Sequence, residues 1–190
     1  ISANYGWTRR HFDSLPFPSR GLGVGIELGT GVTLGSQSEP YVRWLVKGLG
    51  LVPLSSSMGR LAVRADIGSV VSRDTANLPA TQLFWTGGDN SVRGYDYQTL
   101  SPKNSDGDRI GGRYLVAGSV EYQYSIAEKW RVATFVDQGN SFNTLELPSL
   151  KTGVGIGVRW VSPVGPLRLD LAHALDDEGG VRLHFSMGPE

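Results

Sequence analysis

Cysteine is absent from this sequence of 190 residues. Its absence excludes disulfide bonds and metal sites built on thiolates. Long apolar runs are missing too, because no segment approaches the roughly 20 apolar residues that a membrane-spanning helix requires. These two absences exclude a helical membrane protein but not a membrane-spanning β-barrel, whose strands alternate apolar and polar residues.

A net charge is also lacking, since 18 basic residues balance 18 acidic ones. The sequence therefore has no charge excess that would predict binding to nucleic acid. The stretch Ile1–Trp7 has neither the basic start nor the apolar centre of a signal peptide. We expect the chain to begin partway through a longer protein.

Signatures of enzyme chemistry are scarce. The three histidines, His11, His173 and His184, lie on separate segments and have neither metal-ligand spacing nor a Ser-His-Asp arrangement. The alternating glycines at 153–157 would be typical of a phosphate-binding loop only if a helix followed, and none is predicted there. The sequence thus predicts no catalytic residue, no metal and no cofactor.

What the sequence does contain is glycine, 26 residues in all, and a series of segments that alternate apolar and polar residues. Alternation with a period of two is typical of β-strands. We predict about nine strands of roughly ten residues, the length that crosses a bilayer at a tilt of about 45°. Their clearest parts are residues 1–9, 21–29, 42–47, 61–67, 113–124, 130–137, 153–160, 167–172 and 181–187.

One face of these predicted strands is apolar, while the other carries Arg, Glu, Asp and Gly strand after strand, among them Glu121, Asp137, Arg159 and Asp170. A soluble β-sandwich also alternates, but its packed core does not hold such charges, whereas a water-filled barrel lumen does. The connections alternate in length, as in barrels with short periplasmic turns and long extracellular loops. The short ones lie near 53–57, 125–128 and 162–166, and the long ones near 31–40, 73–112 and 139–150. We therefore predict an all-β fold, a transmembrane antiparallel β-barrel.

The segment 73–112 interrupts the alternation for about 40 residues, which exceeds an ordinary connection and predicts a functional loop. Its glycines supply backbone with positive φ or close approach, so the loop is able to fold back tightly. If the loop enters the lumen, Arg93 needs a carboxylate or water. The candidate functional residues of the loop are Gly87, Gly88, Asp89, Val92, Arg93, Gly94 and Tyr95.

Carboxylates on the inward face of the later strands are candidate partners for Arg93. Glu121 and Asp137 both qualify by their parity along the strands. If 125–128 is a simple hairpin turn, Glu121 lies opposite Val132, and Asp137 is five residues further along, about 17 Å away at about 3.4 Å per residue. One arginine would then not hold both, so we rank Asp137 first and Glu121 second. A bulge in the hairpin, or pairing with each carboxylate at a different stage of a cycle, would change this ranking. An exposed Arg93 with no fixed partner is the alternative.

Four stretches of the sequence together form a specific pattern, namely Val92–Tyr95 preceded by Gly87–Asp89, Ser119–Tyr122, Phe135–Gly139 and Gly155–Leu167. This pattern resembles the BamA and TamA superfamily of outer-membrane assembly barrels. Three further stretches, Ser101–Lys103, Glu121–Tyr124 and Met187–Glu190, are more similar to TamA than to BamA. The stretch Glu178–Phe185 resembles the C-terminal sorting signal of outer-membrane barrels, with Gly180, Leu183 and Phe185 as its candidate residues, although a plain terminal amphipathic strand is the alternative.

The resemblance implies a sixteen-strand barrel with N-terminal POTRA domains, in which Arg93 reaches into the lumen to meet Asp137 and Glu121. Neither POTRA domains nor the first strands are expected here, so residues 1–190 correspond to the C-terminal part of the barrel. In such a barrel the last strand meets the first along a weak seam, and Gly179 and Gly180 would weaken its pairing. A fragment of this kind closes as a smaller barrel, pairs with another copy or is completed by another chain.

The implied function is the insertion or secretion of client β-barrel proteins, such as autotransporters, through that seam in the bacterial outer membrane. The implied partners are membrane lipids, a TamB-like periplasm-spanning protein and client outer-membrane proteins. Two alternatives stay open. One is a pore for two-partner secretion, which exports a polypeptide through its lumen, and the other is a small lipid-modifying barrel that uses His184.

Overall fold

The computed structural model describes residues 1–14, 17–33, 38–55, 59–73, 78–146, 149–163, 165–177 and 179–188. Nine strands in these ranges form one sheet in which each strand pairs antiparallel with the next along the chain. They are β1 (Ser2–Phe12), β2 (Gly21–Val32), β3 (Pro40–Ser55), β4 (Gly59–Ser72), β5 (Tyr114–Ala127), β6 (Trp130–Phe142), β7 (Lys151–Ser162), β8 (Gly165–Ala174) and β9 (Arg182–Met187). None of the described helical segments is long and apolar enough to cross a membrane.

The predicted fold class is confirmed, and every predicted strand is present. Several strands are longer than their clearest alternation, because the hydrogen-bond ladder does not depend on side chains. β3 begins at Pro40 and ends at Ser55, so it continues through Gly48 and Gly50, where no side chain marks the alternation. β1 likewise continues beyond residue 9 to Phe12, which pairs with Gly21.

The two faces of the sheet carry the side chains that the alternation predicts. The outward face exposes large apolar side chains, among them Val120, Val136, Ile156, Leu169 and Leu171. The inward face buries charged ones, namely Arg60, Glu121, Asp137, Arg159 and Asp170. Burial of this many ionisable groups is stable only where each has a partner, so the inner face must be organised by ion pairs.

The long connection between β4 and β5 supplies much of what packs on the inner face. A single turn of 3-10 helix, Ala80–Gln82, begins its described part, and the bridge between Phe84 and Gly112 closes its base. One apolar cluster joins the loop to the sheet through Tyr41, Leu45, Val70, Leu78, Phe84, Leu115 and Ala117. A second cluster, nearer the loop tip, contains Val92, Tyr95, Leu100 and Ala174. The loop is therefore packed against the inside of the sheet.

The outward position of Phe185 on β9 gives a direct test of the two faces. Phe185 is 59% exposed, whereas Ser186 turns inward and pairs with Arg168 across the ladder. We expect Phe185→Asp to reduce the amount of assembled barrel severely, because it places a carboxylate against lipid hydrocarbon. Ser186→Asp should be tolerated, because its carboxylate faces the interior beside an arginine. The measurement is the folded fraction in the outer membrane, from the heat-dependent gel mobility of the barrel. Equal losses in the two variants would mean that the faces are assigned wrongly.

Candidate functional site

The tip of the long loop, Gly87–Tyr95, lies inside the curved sheet. Val92 is fully buried, and Arg93 and Tyr95 are nearly so. The predicted need for positive φ is confirmed at Gly87 (+103°), Gly88 (+95°) and Gly94 (+95°). A Cβ atom on Gly94 would lie 2.9 Å from the backbone nitrogen of Ala174, so the tip also needs this glycine for its close approach to β8.

Arg93 binds Asp137 through both the side chain and the backbone. Its Nε donates to Asp137 Oδ2 at 2.7 Å, its Nη2 donates to Oδ1 at 2.8 Å, and its backbone N–H donates to Oδ2 at 3.0 Å. The Ser119 hydroxyl donates a further hydrogen bond to Oδ1 at 2.6 Å. Asp137 has no solvent exposure, so these four hydrogen bonds replace the water that its charge would otherwise need.

Arg93 also contacts Glu121 and Asp170, each with the same nitrogen. Its Nη1 donates to Glu121 Oε2 at 2.9 Å and to Asp170 Oδ2 at 3.0 Å. The expectation that one arginine could not hold both Asp137 and Glu121 is therefore wrong. The reason is the register of the hairpin, in which Glu121 pairs with Phe135 instead of Val132, after an irregularity near Ser125. Asp137 is thus two residues from Phe135 on the same face, within reach of the same guanidinium.

A second arginine, Arg159, completes the arrangement and was not predicted as a functional residue. It donates to both carboxylate oxygens of Glu121, at 2.9 and 2.7 Å, and to Asp170 Oδ1 at 2.5 Å. We call Arg93, Arg159, Glu121, Asp137 and Asp170 the lumen charge cluster. Asp170 and Arg159 had been placed on the inward face by parity, but only the curvature of the sheet brings β7 and β8 to Arg93.

The electrostatics of the cluster favour the charged form of Arg93. Burial acts to lower the pKa of Arg93, but the hydrogen bond and charge of Asp137, with the charges of Glu121 and Asp170, raise it above its ordinary value. The guanidinium also lies over the ring of Phe135, 3.3 Å from the ring centroid, a position in which the cation is attracted to the π face. Two cations and three carboxylates share one buried site.

Three glycines on the inward face of β7 make room for this site. A Cβ on Gly153 would lie 1.8 Å from the carbonyl oxygen of Arg93, and one on Gly155 would lie 2.4 Å from the ring of Phe135. A Cβ on Gly157 would lie 1.8 Å from the carboxylate of Asp170. The alternating glycines that first suggested a phosphate-binding loop therefore form a groove for the loop tip and its partners.

Asp89 and Tyr95, also predicted, contact other parts of the wall. Asp89 contacts Nδ1 of His184 on β9, and the His184 side chain is buried. The Tyr95 hydroxyl lies 3.3 Å from both the carbonyl oxygen of Thr152 and the carboxylate of Asp176. The loop tip thus contacts strands on both sides of the charge cluster.

The residues predicted for the C-terminal signal do not join this site. Leu183 and Phe185 are exposed on the outward face of β9. Gly180 lies before β9, which begins at Arg182, so Gly179 and Gly180 lie outside the described ladder with β8, and their effect on the seam stays a prediction. Glu178 lies outside the described residues, as do residues 189–190 of the stretch that is similar to TamA.

The arrangement can brace the barrel, because one loop residue binds side chains from β5, β6 and β8. The hydrogen-bond donors and acceptors of the lumen charge cluster are already bound to one another. Within the ranges that the structure describes, no group of three or more His, Cys, Asp or Glu residues could hold a metal ion.

The Omp85 superfamily domain model matches residues 1–190. The outer membrane protein assembly factor BamA of Nitratidesulfovibrio vulgaris is 32% identical over 133 residues, which are 64% of this chain and 17% of that protein. BamA of Neisseria meningitidis is 26% identical over 227 residues, covering 96% of this chain and 28% of that protein. The chloroplastic outer envelope protein 80 of Arabidopsis thaliana is 32% identical over 118 residues, covering 56% of this chain and 15% of that protein.

A crystal structure of BamA from Haemophilus ducreyi lacking POTRA domains 1-3 has the same fold. Its TM-score to this chain is 0.77 at 25% sequence identity, and the match covers 97% of this chain and 41% of that one. The chain therefore spans less than half the length of each of these relatives.

Proposed function

Since the chain belongs to the Omp85 superfamily, whose domain covers residues 1–190, we propose that it is the C-terminal part of a barrel that helps to insert or translocate client outer-membrane proteins. Its location is the bacterial outer membrane, as for its BamA relatives. In this function the barrel changes how a client strand enters the bilayer, and no covalent bond of the client is made or broken.

The observation that carries this proposal is the docking of Arg93 in the lumen charge cluster. A loop whose Arg93 is bound by three carboxylates occupies the space that a polypeptide would need in order to pass through the lumen. The last strand is the contrasting element, because β9 pairs with β8 through only Arg182–Met187. No ladder within the described ranges joins its other edge to a strand. An edge of this kind offers unpaired backbone groups to an incoming strand, so a client would enter beside β9.

Within the family, we propose that the chain belongs to the TamA branch. Ser101–Lys103 and Glu121–Tyr124 support this assignment by their similarity to TamA, whereas the relatives named above are BamA proteins. The branch implies autotransporters among the clients, and a TamB-like periplasm-spanning protein and membrane lipids as partners. The open edges of β1 and β9 would be covered by the remaining strands of a larger barrel or by self-association.

A tether between the loop and the wall tests this function against secretion through the lumen. Residues 1–190 contain no cysteine, so an introduced pair has no competing thiol within this part of the barrel. We choose Leu100→Cys with Ser141→Cys, because the Ser141 hydroxyl donates a hydrogen bond to the carbonyl oxygen of Leu100 at 2.8 Å, which makes the two residues neighbours. We expect the tethered protein, expressed from its native gene and reconstituted in liposomes, to insert a client barrel at the rate of the reduced protein, because a client that enters beside β9 leaves the loop in place.

The matched control is the single variant Ser141→Cys under the same oxidation. Loss of client insertion in the tethered protein, with recovery on reduction, would contradict entry beside β9, because it would link activity to departure of the loop. Secretion of a soluble partner polypeptide that stops on tethering would favour the two-partner-secretion alternative.

A further inference from the structure

The last strand is held by few backbone contacts. Six residues of β9 pair with β8, from Leu167 opposite Met187 to Ala172 opposite Arg182. One side of this strand carries a ladder, and the other side pairs with no strand that the structure describes. A ladder of six residues on one side of an edge strand has only marginal stability by itself. The position of β9 therefore depends on what its inward side chains bind.

Two inward side chains of β9 bind the loop tip, and both bind Gly94. The backbone N–H of Gly94 donates to Nε2 of His184 at 2.9 Å, and Nη1 of Arg182 donates to the carbonyl oxygen of Gly94 at 2.6 Å. Arg182 Nε also donates to the Asp96 carboxylate at 3.0 Å. Both backbone polar groups of one loop residue are therefore occupied by side chains of the last strand.

The imidazole of His184 must be in one particular form to make these contacts. Because Nε2 accepts a hydrogen bond from Gly94, the proton of the neutral ring is on Nδ1, which faces the carboxylate of Asp89. Asp89 thus fixes the tautomer that can accept from Gly94, in the way that a carboxylate orients a histidine in many buried sites. The contact needs Asp89 and His184 together.

Gly94 is adjacent to Arg93, which binds the opposite wall. Arg93 is fixed to β5, β6 and β8 through Glu121, Asp137 and Asp170. The backbone at Gly94 is closely packed, because a Cβ atom there would lie 2.9 Å from the backbone nitrogen of Ala174 at the end of β8. A displacement of the Arg93 side chain from its partners would therefore move Gly94 away from β9.

We propose that Asp89, Arg182 and His184 are positioning residues that fasten the last strand to the loop, so that docking of Arg93 in the lumen charge cluster fixes the position of β9 while a client strand pairs beside it. The proposal deepens the function above, in that it takes β9 as the strand beside which the client enters. It assigns a role to the tip of the loop beyond bracing the lumen, because the loop sets the position of the strand at the seam.

Hydrogen exchange of the β9 backbone amides in the resting protein tests this assignment. We expect His184→Leu to accelerate exchange at residues 182–187 by about tenfold, the effect of losing one or two hydrogen bonds, while β5 and β6 exchange as before. His184→Gln should restore most of the protection, because its amide accepts from Gly94 and donates to Asp89. Arg93→Ala should accelerate the same amides although Arg93 does not contact β9.

Ser186→Ala is the matched control, since Ser186 lies on the inward side of the same strand and has no hydrogen bond to the loop among the described contacts. If His184→Leu fails to fold, Asp89→Ala provides the same comparison from the side of the loop, because it removes the acceptor that faces Nδ1 of His184. Unchanged exchange of β9 in these variants, or faster exchange spread evenly over all strands, would overturn the proposal. The measurement involves no client, so its failure leaves the proposed function standing, and a failure of client insertion leaves this coupling standing.

Discussion

Replacement of Asp137 by asparagine is expected to destabilise the barrel by about 3–5 kcal/mol, the effect of removing one partner from a buried ion pair. Asparagine preserves the size of the side chain, but its amide presents a donor to a guanidinium that has only donors. The four hydrogen bonds that Asp137 accepts would be reduced, and Arg93 would lose its only bidentate partner among the described contacts. The free energy of unfolding, measured with urea in lipid or detergent, checks this value.

Glu27→Gln is the matched control for that exchange. Glu27 also pairs with a cation, Lys47, at 2.8 Å, but both side chains are about half exposed. Pairs of that kind contribute about 0–1 kcal/mol, so its loss should be small. Similar losses in the two variants would show that burial of Asp137 adds nothing to its ion pair.

The reciprocal exchange, Asp137→Arg with Arg93→Asp, should not restore stability. An aspartate at position 93 would face the carboxylates of Glu121 and Asp170, which bind the native arginine. Like charges at such distances in a buried site are unfavourable. Recovery by the double exchange would indicate that Asp137 is the sole partner of Arg93 and that the other two contacts are incidental.

The sequence was informative about which side chains face inward and less informative about which of them meet. The face on which a side chain lies depends only on the alternation along its own strand. The sequence therefore placed Asp137, Glu121, Arg159 and Asp170 on the same face correctly. The distance between Glu121 and Asp137 depended on an assumed turn, and an irregularity near Ser125 changed the register. Errors of this size are expected wherever the length of a hairpin loop fixes the pairing.

Contacts that depend on the curvature of the whole sheet were beyond the sequence. Asp170 is 77 residues from Arg93 along the chain, and His184 is 90 residues from Gly94. The glycines of β7 were visible as a pattern, yet their purpose became clear only when the loop tip was seen to occupy the space above them. Alternating glycines in a strand indicate that another part of the molecule approaches the strand closely, but they do not identify that part.

A side chain at Gly153 is expected to have a large effect on stability. The atom that a Cβ there would meet first belongs to the backbone of the loop, which cannot rotate away as a flexible side chain can. Gly153 lies on β7 opposite Asp137, with a potential Cβ position 1.8 Å from the Arg93 carbonyl oxygen. We expect Gly153→Ala to displace the loop tip and to lower the free energy of unfolding by about 3 kcal/mol or more, from overpacking and from the loss of the Arg93 ion pairs. Protease sensitivity of residues 87–95 should rise in parallel.

The control for Gly153→Ala is Gly25→Ala, on the inward face of β2, where the nearest atom to a new Cβ is the Thr8 hydroxyl at 3.8 Å. That variant should keep the loop protected. Because Gly153→Ala and Asp137→Asn release the same loop, their combined cost should fall well short of the sum of the two single costs, as for residues that share one interaction. Full additivity, or a Gly153→Ala variant as stable as Gly25→Ala, would mean that the loop tip does not rest on β7, and that the buried ion pairs hold it without the groove.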